Sequence, residues 1–465
     1  MNSPPLSQPA LAASLLPVPV SPELLPPVAD VDALAQPANI ARPALGQRPR
    51  RMSVSETIEW QRKVSLKLHP EAAAAAAAAA LAEHHQAHPH AHAQAPMPPL
   101  HQQPPPLSRP NTAERDRRAR TRFVVPMSAP GVEAMASETF SIDFAPDSRQ
   151  MATGCGDGSV RLFGATAGTG VAGHRLQRVI FHAEDKEHLP ATCVRFSPVA
   201  LADTDDTCLL LAAYADGSVT QWRVGRDGQS DTPLRSISTG AQNSVYALAI
   251  QSDGLHFVAA GRDHVVRLYD ANTGQLVRAF DNTGAHGHSN RVYALKWHPR
   301  DAHTLLSGGW DNTVQFWDDR TGTSVRSLFG PHLCGDALDI NSIGSEILTG
   351  SWREDNALQR WDFASGKLIT NVNWQGDASA SHAAPLASLG GNCMLYCASY
   401  SPDDRYLAAG GAGNGVNQCK LFDAATNQPT ERVTFAHGLY AMAFAPDNKQ
   451  LALGGVDTSI TIVNL

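Results

Sequence analysis

The sequence predicts an all-β protein: a seven-bladed β-propeller closed by an N-terminal strand and preceded by a largely disordered arm with short helices. Three observations lead to this prediction. A ten-residue pattern built around an Asp recurs from residue 120 onward, and a stretch of alternating apolar residues precedes each copy. Residues 1–119 are rich in Ala, Pro, Gln and His but too poor in aromatic and β-branched residues to bury a core.

The repeat is clearest in "GGWDNTVQFW", which ends at Trp317. Equivalent segments end at Phe163, Trp222, Tyr269, Trp361, Phe422 and Val463, so that successive copies end 41 to 61 residues apart. Six copies place an Asp six residues before the last position: Asp157, Asp216, Asp263, Asp311, Asp355 and Asp457. The remaining copy is two residues longer and carries Asn414. Because these acids recur beside Gly and other turn residues, we interpret them as turn residues rather than a catalytic group.

Each copy opens with a stretch such as "VYALKW", in which apolar residues alternate before a Pro or Asp. A period of two, closed by turn residues, indicates a short strand followed by a tight turn. A second apolar strand, the Asp turn, a third strand ending in the aromatic residue and a variable fourth strand complete the copy. Seven copies of four strands predict a β-propeller over residues 120–465.

These motifs resemble the WD-repeat family, and the resemblance covers about residues 120–465. In the fourth copy Gly287 and His288 match the GH pair of that family. The resemblance implies a buried hydrogen-bonded tetrad formed by His288, Ser307, Asp311 and Trp317. Elsewhere the tetrad is partial, although His437 fits the His position of the seventh copy.

The seventh copy stops at Leu465, just after its third strand, so that its outer strand is missing. An open edge would expose unpaired backbone groups. The strand-like run "RTRFVVP", residues 120–126, precedes the first copy, which begins near Thr139. We expect this run to supply the missing strand, as N-terminal strands commonly do in the family.

Composition limits the functional classes. The first 130 residues carry 13 Lys and Arg against 9 Asp and Glu, whereas the remainder carries 24 against 35. An acidic body lacks the basic surplus of a nucleic-acid binder. The seven Cys lack zinc-site spacing, and the N-terminal residues show neither a signal peptide nor a membrane span. We expect an intracellular protein of the cytoplasm, cytoskeleton or nucleus that contacts neither nucleic acid nor membrane.

Catalytic signatures are missing from the sequence. It contains no G-x-S-x-G, no H-E-x-x-H and no G-x-x-x-x-G-K-[ST] motif. The His tract at residues 84–92 adjoins a run of Ala, so we favour low complexity over a metal site. We therefore predict a protein that is not an enzyme and that uses no cofactor and no metal.

The arm contains two predicted helices, at residues 53–69 and 71–88. The first has a capping-box pattern, and its apolar face includes Trp60, Val64 and Leu68. This face either docks a second partner or packs on the protein's own propeller. "RRMS" predicts a kinase site at Ser53. The second helix is Ala-rich, and we interpret it as a spacer.

The candidate partner site is the propeller face that carries the turns, because the resemblance places the turn Asp and the GH His on that face. Tyr, Trp and Arg residues open the inner strands or flank the turns there: Tyr246, Arg262, Tyr293, Trp310, Trp352, Arg353, Tyr396 and Tyr440. Thr192 and Asp336 hold the Tyr position in copies two and five. These residue types dominate binding hot spots, but the Tyr rings can also pack between blades. The link at residues 375–392 is expected to emerge on the same face.

The sequence thus predicts a protein-interaction scaffold that belongs to a larger complex, possessing a rigid propeller face and an arm that anchors a second partner. A cytoskeletal or ciliary assembly fits such an architecture. The alternative rests on "WDDR" at residues 317–320, which matches the W-D-x-R box of WD-repeat substrate receptors of cullin-RING ubiquitin ligases. In that family the Arg of the box, here Arg320, helps to dock the adaptor.

Overall fold

The computed structural model describes residues 120–128, 137–165, 173–182, 188–199, 207–225, 231–240, 243–280, 287–374, 393–413 and 416–465. The regular elements of these residues are β-strands, arranged as seven antiparallel four-stranded sheets. Each sheet is one blade, and blades one to seven follow the order of the sequence copies. The predicted arm helices at residues 53–69 and 71–88 lie outside the described residues.

In every blade except blade two, a tight turn of five or six residues joins the first and second strands. The first strands of blades one to seven are β2 (Thr139–Phe144), β6 (Ala191–Phe196), β10 (Val245–Ile250), β14 (Val292–Trp297), β18 (Leu338–Ile340), β22 (Met394–Tyr400) and β26 (Leu439–Phe444). The second strands are β3 (Gln150–Cys155), β7 (Thr207–Tyr214), β11 (His256–Gly261), β15 (Thr304–Gly309), β19 (Glu346–Gly350), β23 (Tyr406–Gly413) and β27 (Gln450–Gly455).

The third and outer strands complete the blades. The third strands are β4 (Ser159–Gly164), β8 (Ser218–Gly225), β12 (Val266–Asp270), β16 (Thr313–Asp318), β20 (Leu358–Asp362), β24 (Val416–Asp423) and β28 (Ser459–Asn464). The outer strands of blades one to six are β5 (Leu176–Phe181), β9 (Thr232–Ser238), β13 (Leu276–Phe280), β17 (Ser324–Phe329), β21 (Leu368–Asn371) and β25 (Pro429–Thr434). Blade seven takes β1 (Arg122–Pro126) as its outer strand.

The ring closes as the sequence predicts. First strands of neighbouring blades touch all the way around, including β2 against β26, so they line a central channel. Strand β1 pairs antiparallel with β28, from Arg122 opposite Val463 to Pro126 opposite Ser459. Val125 of β1 is fully buried. The pairing satisfies the backbone groups that β28 would otherwise leave open.

Alternation within each strand explains why the blades stack. In β14, Val292, Ala294 and Leu295 are buried, whereas Tyr293 and Lys296 are only half-buried and face the channel. Buried residues of adjacent blades merge into continuous apolar clusters, such as the one that joins Leu306 of blade four to residues of blades five and six. Burial of apolar surface between blades is the main term that stabilises such a ring.

Arginines tie the outer halves of neighbouring blades together. One register position of the outer strand holds Arg178, Arg235, Arg278 and Arg326 in blades one to four. Arg178 donates to the carbonyl of Gly225 in the next blade, and Arg326 donates to the carbonyl of Phe363. Gly322 has a positive φ of 74°, and a Cβ there would lie 2.5 Å from Nη1 of Arg278, so a larger residue would displace that guanidinium.

Blades five to seven continue the belt with different residues. Thr370 holds the register position in blade five, and Arg360 across from it donates to the carbonyl of Ala424 in blade six. Glu431 of blade six pairs with Arg122 of blade seven, with 3.3 Å between Nη2 and Oε1. Polar contacts at the rim thus join blade one to two, four to five, five to six and six to seven, in addition to the packing between blades.

Candidate functional site

The two faces of the disc are defined by their turns. The turn face carries the connections between second and third strands, at residues 156–158, 215–217, 262–265, 310–312, 351–357 and 456–458. The opposite face, here called the hairpin face, carries the connections between first and second strands, at residues 145–149, 251–255, 298–303, 341–345, 401–405 and 445–449. First strands begin at the turn face, because Val292 pairs with Gly309 next to the turn of blade four.

Carboxylates stabilise these turns. Asp157, Asp216 and Asp311 each accept the backbone N–H two residues later, at 3.1, 2.8 and 3.1 Å. Such a local bond is the usual reason for Asp in a turn. In blades one and three the same carboxylate also pairs with an Arg four residues on, Arg161 and Arg267 respectively. The sequence reasoning missed these two arginines, although their regular spacing was readable.

The structure brings His288, Ser307, Asp311 and Trp317 together in blade four. Trp317 Nε1 donates to Ser307 Oγ at 2.7 Å, and Ser307 Oγ lies 2.6 Å from His288 Nε2. Since Ser307 accepts from the indole, its hydroxyl donates to Nε2, and Nδ1–H of His288 donates to Asp311 at 2.7 Å. Burial raises the pKa of Asp311, but bonds from His288 and Thr313 bring it below its usual value.

Other blades keep fragments of this network. In blade seven His437 Nδ1 lies 2.6 Å from Asp457 Oδ1. In blade five Trp361 donates to Thr349 Oγ1 at 2.9 Å. The network is thus complete in blade four, and its role there is to hold the turn face rigid around blade four.

A β-bulge places the predicted tyrosines at the mouth of the channel. Near the start of six of the first strands the register shifts across a single residue, which has no partner on the next strand. The bulged residues are Phe140, Thr192, Tyr246, Tyr293, Tyr396 and Tyr440. Bulges commonly re-aim a side chain at a functional edge. Phe140 was missed by the sequence reasoning, although it occupies the same register position.

Four rings on the turn face form a continuous aromatic row, defined as Tyr246, Tyr293, Trp310 and His332. Tyr246 stacks on Tyr293 with 4.8 Å between centroids, Tyr293 lies 5.8 Å from Trp310, and Trp310 stacks on His332 at 5.9 Å. The guanidinium of Arg291 lies over Trp310 at 5.3 Å. Neither Arg291 nor His332 belongs to a motif, so the sequence reasoning gave no reason to include them.

A second cluster lies across the channel and consists of Phe140, Tyr396 and Tyr440. Phe140 stacks on Tyr440 at 6.0 Å, and Tyr396 meets Tyr440 edge-on at 5.4 Å. The rings of this cluster come from blades one, six and seven, whereas those of the aromatic row come from blades three and four and from the loop after blade four. The predicted tyrosines therefore form two arcs, and each arc packs between blades while remaining half-buried at the mouth.

The remaining predicted residues of the turn face differ in availability. Arg262 is exposed. Trp352 is half-buried, and no other described residue accepts a hydrogen bond from its indole N–H. Arg353 is held by its own blade, because its guanidinium donates to the carbonyls of Asn356 and Gly330 and to Gln359. Arg262 thus offers a free charge to a partner, whereas Arg353 mainly stabilises its loop.

Charged residues fill the channel below the mouth, which widens toward the hairpin face into a cavity of about 470 Å³. Arg195 pairs with Asp336, and Lys296 Nζ lies 2.7 Å from Asp339 Oδ1. Asp143 accepts the N–H of Phe196 at 2.7 Å. Burial raises the pKa of Asp143 to about 6, and Arg195 partly opposes that rise.

Arg320 of the W-D-x-R match lies on the hairpin face, after β16. Its side chain is 64% exposed, and its Nε and Nη2 donate hydrogen bonds to the carboxylate of Asp318 at 3.0 and 2.7 Å. These bonds lower the pKa of Asp318 to about 2. The arm residues Ser53, Trp60, Val64 and Leu68 and the link at residues 375–392 lie outside the described residues.

The described part of the chain holds no group of three or more His, Cys, Asp or Glu side chains that could bind a metal ion. In the same part, no helix is long and apolar enough to cross a bilayer. The seven cysteines are free thiols, and burial raises the pKa of Cys155 and Cys393 to about 11. Thiols with a raised pKa are poor nucleophiles.

Comparison with known proteins agrees with the fold. The family model "WD domain, G-beta repeat" matches residues 136–163, 232–270 and 275–318. WD repeat-containing protein slp1 of Schizosaccharomyces pombe is 28% identical over 187 residues, which are 40% of this chain and 34% of that protein. U3 snoRNP-associated protein-like EMB2271 of Arabidopsis thaliana is 30% identical over 172 residues, 34% of each chain.

Cilia- and flagella-associated protein 52 of Homo sapiens is 25% identical over 234 residues, which are 50% of this chain and 33% of that protein. The chain thus spans about a third of the length of the curated relatives it matches. Seven four-stranded blades, a complete His-Ser-Asp-Trp tetrad and three matched repeats lead to one conclusion. The chain carries WD repeats arranged as a seven-bladed β-propeller.

Proposed function

We propose that this protein is a non-enzymatic scaffold that binds a partner protein on the turn face of its propeller. The observation that supports the proposal is the aromatic row, whose rings touch one another at the channel mouth. Half-buried Tyr and Trp side chains on a rigid frame give large contact area at little entropic cost. WD-repeat propellers generally mediate contacts between proteins, which agrees with this assignment.

A cytoskeletal or ciliary assembly is the proposed setting. It is supported by the similarity of the chain to Cilia- and flagella-associated protein 52. In this proposal the N-terminal arm anchors a second partner through Trp60, Val64 and Leu68, which makes the protein part of a larger complex. A rigid disc that holds one partner, with an arm that reaches another, is suited to organising an assembly.

The test begins with crosslinking mass spectrometry on the native complex, which identifies the partner and the face it contacts. Binding of that partner is then measured for Tyr293→Ala with Trp310→Ala. The matched control is Leu255→Ala with Ile343→Ala, which removes two exposed apolar side chains from the hairpin face. We expect at least a hundredfold weaker binding for the first pair and unchanged binding for the control.

Both double variants must melt cooperatively, and Trp310→Phe, which keeps a ring against Tyr293, should retain most of the binding. Intact binding by the Tyr293 and Trp310 double variant would place the partner site elsewhere. In that case the crosslinks distinguish the rim, the hairpin face and the arm.

A second candidate function is that of a substrate receptor of a cullin-RING ubiquitin ligase. It is favoured by the exposure of Arg320 on the hairpin face. Asp318 holds the guanidinium of Arg320 in a fixed orientation there. Adaptor binding to purified protein, compared between wild type and Arg320→Ala, tests this candidate. Loss of the adaptor with Arg320→Ala but not with Arg300→Ala, another exposed Arg of that face, would support it.

A further inference from the structure

We propose that the aromatic row, together with Arg262 and Arg291, binds an acidic segment of the partner in an extended conformation. This inference rests on the proposed function, because it takes the turn face as the partner site and adds the chemistry of the partner. The charge expected of the partner follows from the charged side chains of blades three and four. Some of them are already paired within the propeller, and others are not.

The turn carboxylates of these two blades are engaged inside their own blades. Asp263 Oδ2 pairs with Arg267 at 2.6 Å, and Asp311 accepts from His288 and from the backbone of Ser289. Asp336, at the equivalent position before blade five, is paired with Arg195. The carboxylates closest to the aromatic row therefore attract a cationic partner only weakly.

Unlike these carboxylates, the two arginines beside the aromatic row are not paired with an opposite charge among the described residues. Within the part of the chain that the structure describes, neither Arg262 nor Arg291 forms a salt bridge. Burial raises the pKa of Tyr293, and Arg291 lies close enough to its hydroxyl to oppose that rise. Arg291 also lies over Trp310, and neither neighbour compensates its positive charge. Because Arg291 already covers Trp310, that ring face is not open to a cation from a partner.

The backbone register places Arg262 beside Tyr246. Arg262 N donates to Ser244 O at 2.9 Å, just as Trp310 N donates to Arg291 O at 3.0 Å in blade four. Arg262 therefore takes the position in blade three that Trp310 takes in blade four. The guanidinium groups of the exposed Arg262 and the half-buried Arg291 therefore stand at the two ends of the Tyr246–Tyr293 pair. Such groups bind carboxylate or phosphate in bidentate geometry.

The spacing of the rings favours an extended peptide. Neighbouring centroids in the row lie 4.8 to 5.9 Å apart. Side chains on one face of an extended strand recur at about 6.7 Å. Alternate residues of such a segment reach successive ring contacts, and acidic residues near them reach the two guanidinium groups. The acid is a carboxylate of Asp or Glu or the phosphate of a modified Ser, which share this chemistry.

The test is an array of nine-residue degenerate peptides, each with Glu, phosphoserine, Gln or Lys fixed at one position, incubated with the purified full chain. We expect the signal on Glu or phosphoserine spots to exceed that on Gln and Lys spots at least fivefold. The ratio of phosphoserine to Glu signal identifies the source of the charge. Arg262→Glu with Arg291→Glu should reverse the preference toward Lys.

The matched control for that charge reversal is Arg149→Glu with Arg300→Glu, which changes the net charge equally but alters two exposed arginines of the hairpin face. This control variant should still bind Glu and phosphoserine peptides in preference to Gln and Lys peptides. Equal signals on all spots, a preference for Gln or Lys, or an acidic preference that survives Arg262→Glu with Arg291→Glu would each overturn the inference. If binding of the native partner still depends on Tyr293 and Trp310 in that case, the proposed function stands even though the inference about an acidic segment fails.

Discussion

Arg195 of blade two and Asp336 before blade five form an ion pair across the central channel, although 141 positions separate them in the sequence. Arg195 also donates to the carbonyl of Val194 at 2.8 Å and to Ser141 Oγ at 3.2 Å. The pair joins two blades that do not touch through their sheets. It therefore braces the ring across its diameter, just below the aromatic mouth.

Breaking this pair should destabilise the ring. Arg195→Met leaves Asp336 without its cation, and we expect a loss of about 1–2 kcal/mol in the free energy of unfolding. That is less than the 3–5 kcal/mol of a fully buried pair, because Asp336 is 44% exposed. A double-mutant cycle with Asp336→Asn, followed by urea denaturation, measures the coupling. Additive losses would mean that the pair contributes nothing beyond its separate side chains.

Asp143 should make stability fall as pH rises from about 4 to about 6. Its folded pKa of about 6 lies above the unfolded value near 4, chiefly because of burial. The folded state therefore keeps a proton that the unfolded state loses in this window, which favours unfolding by at most about 3 kcal/mol. Asp143→Asn should remove this fall. Identical pH profiles for wild type and variant would contradict the prediction.

The tetrad of blade four should matter more to stability than its counterpart in blade seven. His288→Ala leaves buried Asp311 and Ser307 short of a partner, and should cost about 2–4 kcal/mol. His437→Ala removes a similar contact to Asp457, but His437 is 62% exposed, so its loss should cost less than about 1 kcal/mol. Chemical denaturation of the two variants compares them directly, and equal losses would refute the assignment.

Removal of β1 should open blade seven. Deletion of residues 1–110 should leave the thermal midpoint nearly unchanged, whereas deletion of residues 1–126 exposes the edge of β28 and removes buried Val125. The longer deletion should lower the midpoint markedly or cause aggregation. Differential scanning calorimetry with light scattering detects both effects, and equal midpoints would show that β1 is dispensable.

The arm prediction concerns Trp60, which lies outside the described residues. If the predicted helix docks a second partner, Trp60→Ala should weaken recruitment of that partner and leave propeller stability unchanged. Phosphorylation of Ser53 should alter binding, because a phosphate at a helix N-terminus interacts with the helix dipole. Glu59→Ala, on the same predicted helix, is the control. A lower melting temperature of the isolated Trp60→Ala protein would instead indicate packing on the propeller.

Local pattern was enough to predict the blades. Alternating stretches and the recurring Asp determined where strands begin and turn, and the unpaired third strand of blade seven pointed to residues 120–126. The same register logic would have found Phe140, which the search for Tyr overlooked. The bulge itself was not readable, because it depends on pairing between strands rather than on one strand's sequence.

Contacts made by loops and between distant blades were beyond sequence reasoning. His332 joins the aromatic row from a loop with no motif, and Arg195 meets Asp336 only because the ring brings blades two and five face to face. The sequence suggested that Arg353 is available to a partner. In the structure its loop folds back, and the carbonyl groups of Gly330 and Asn356 accept hydrogen bonds from its guanidinium. Such pairings depend on ring geometry, which no single repeat encodes.

The partnership of β1 with β28 has a consequence for synthesis on the ribosome. Arg122 and its partner Val463 are about 340 residues apart. The first propeller strand to leave the ribosome is therefore one of the last to pair with its neighbouring strand. At about 5–20 residues per second, β1 waits roughly 20–70 s with both edges unpaired. During that interval the nascent chain exposes a strand that any compatible edge can capture. We therefore expect holdase chaperones to engage translation intermediates at β1 and to leave once β28 has emerged.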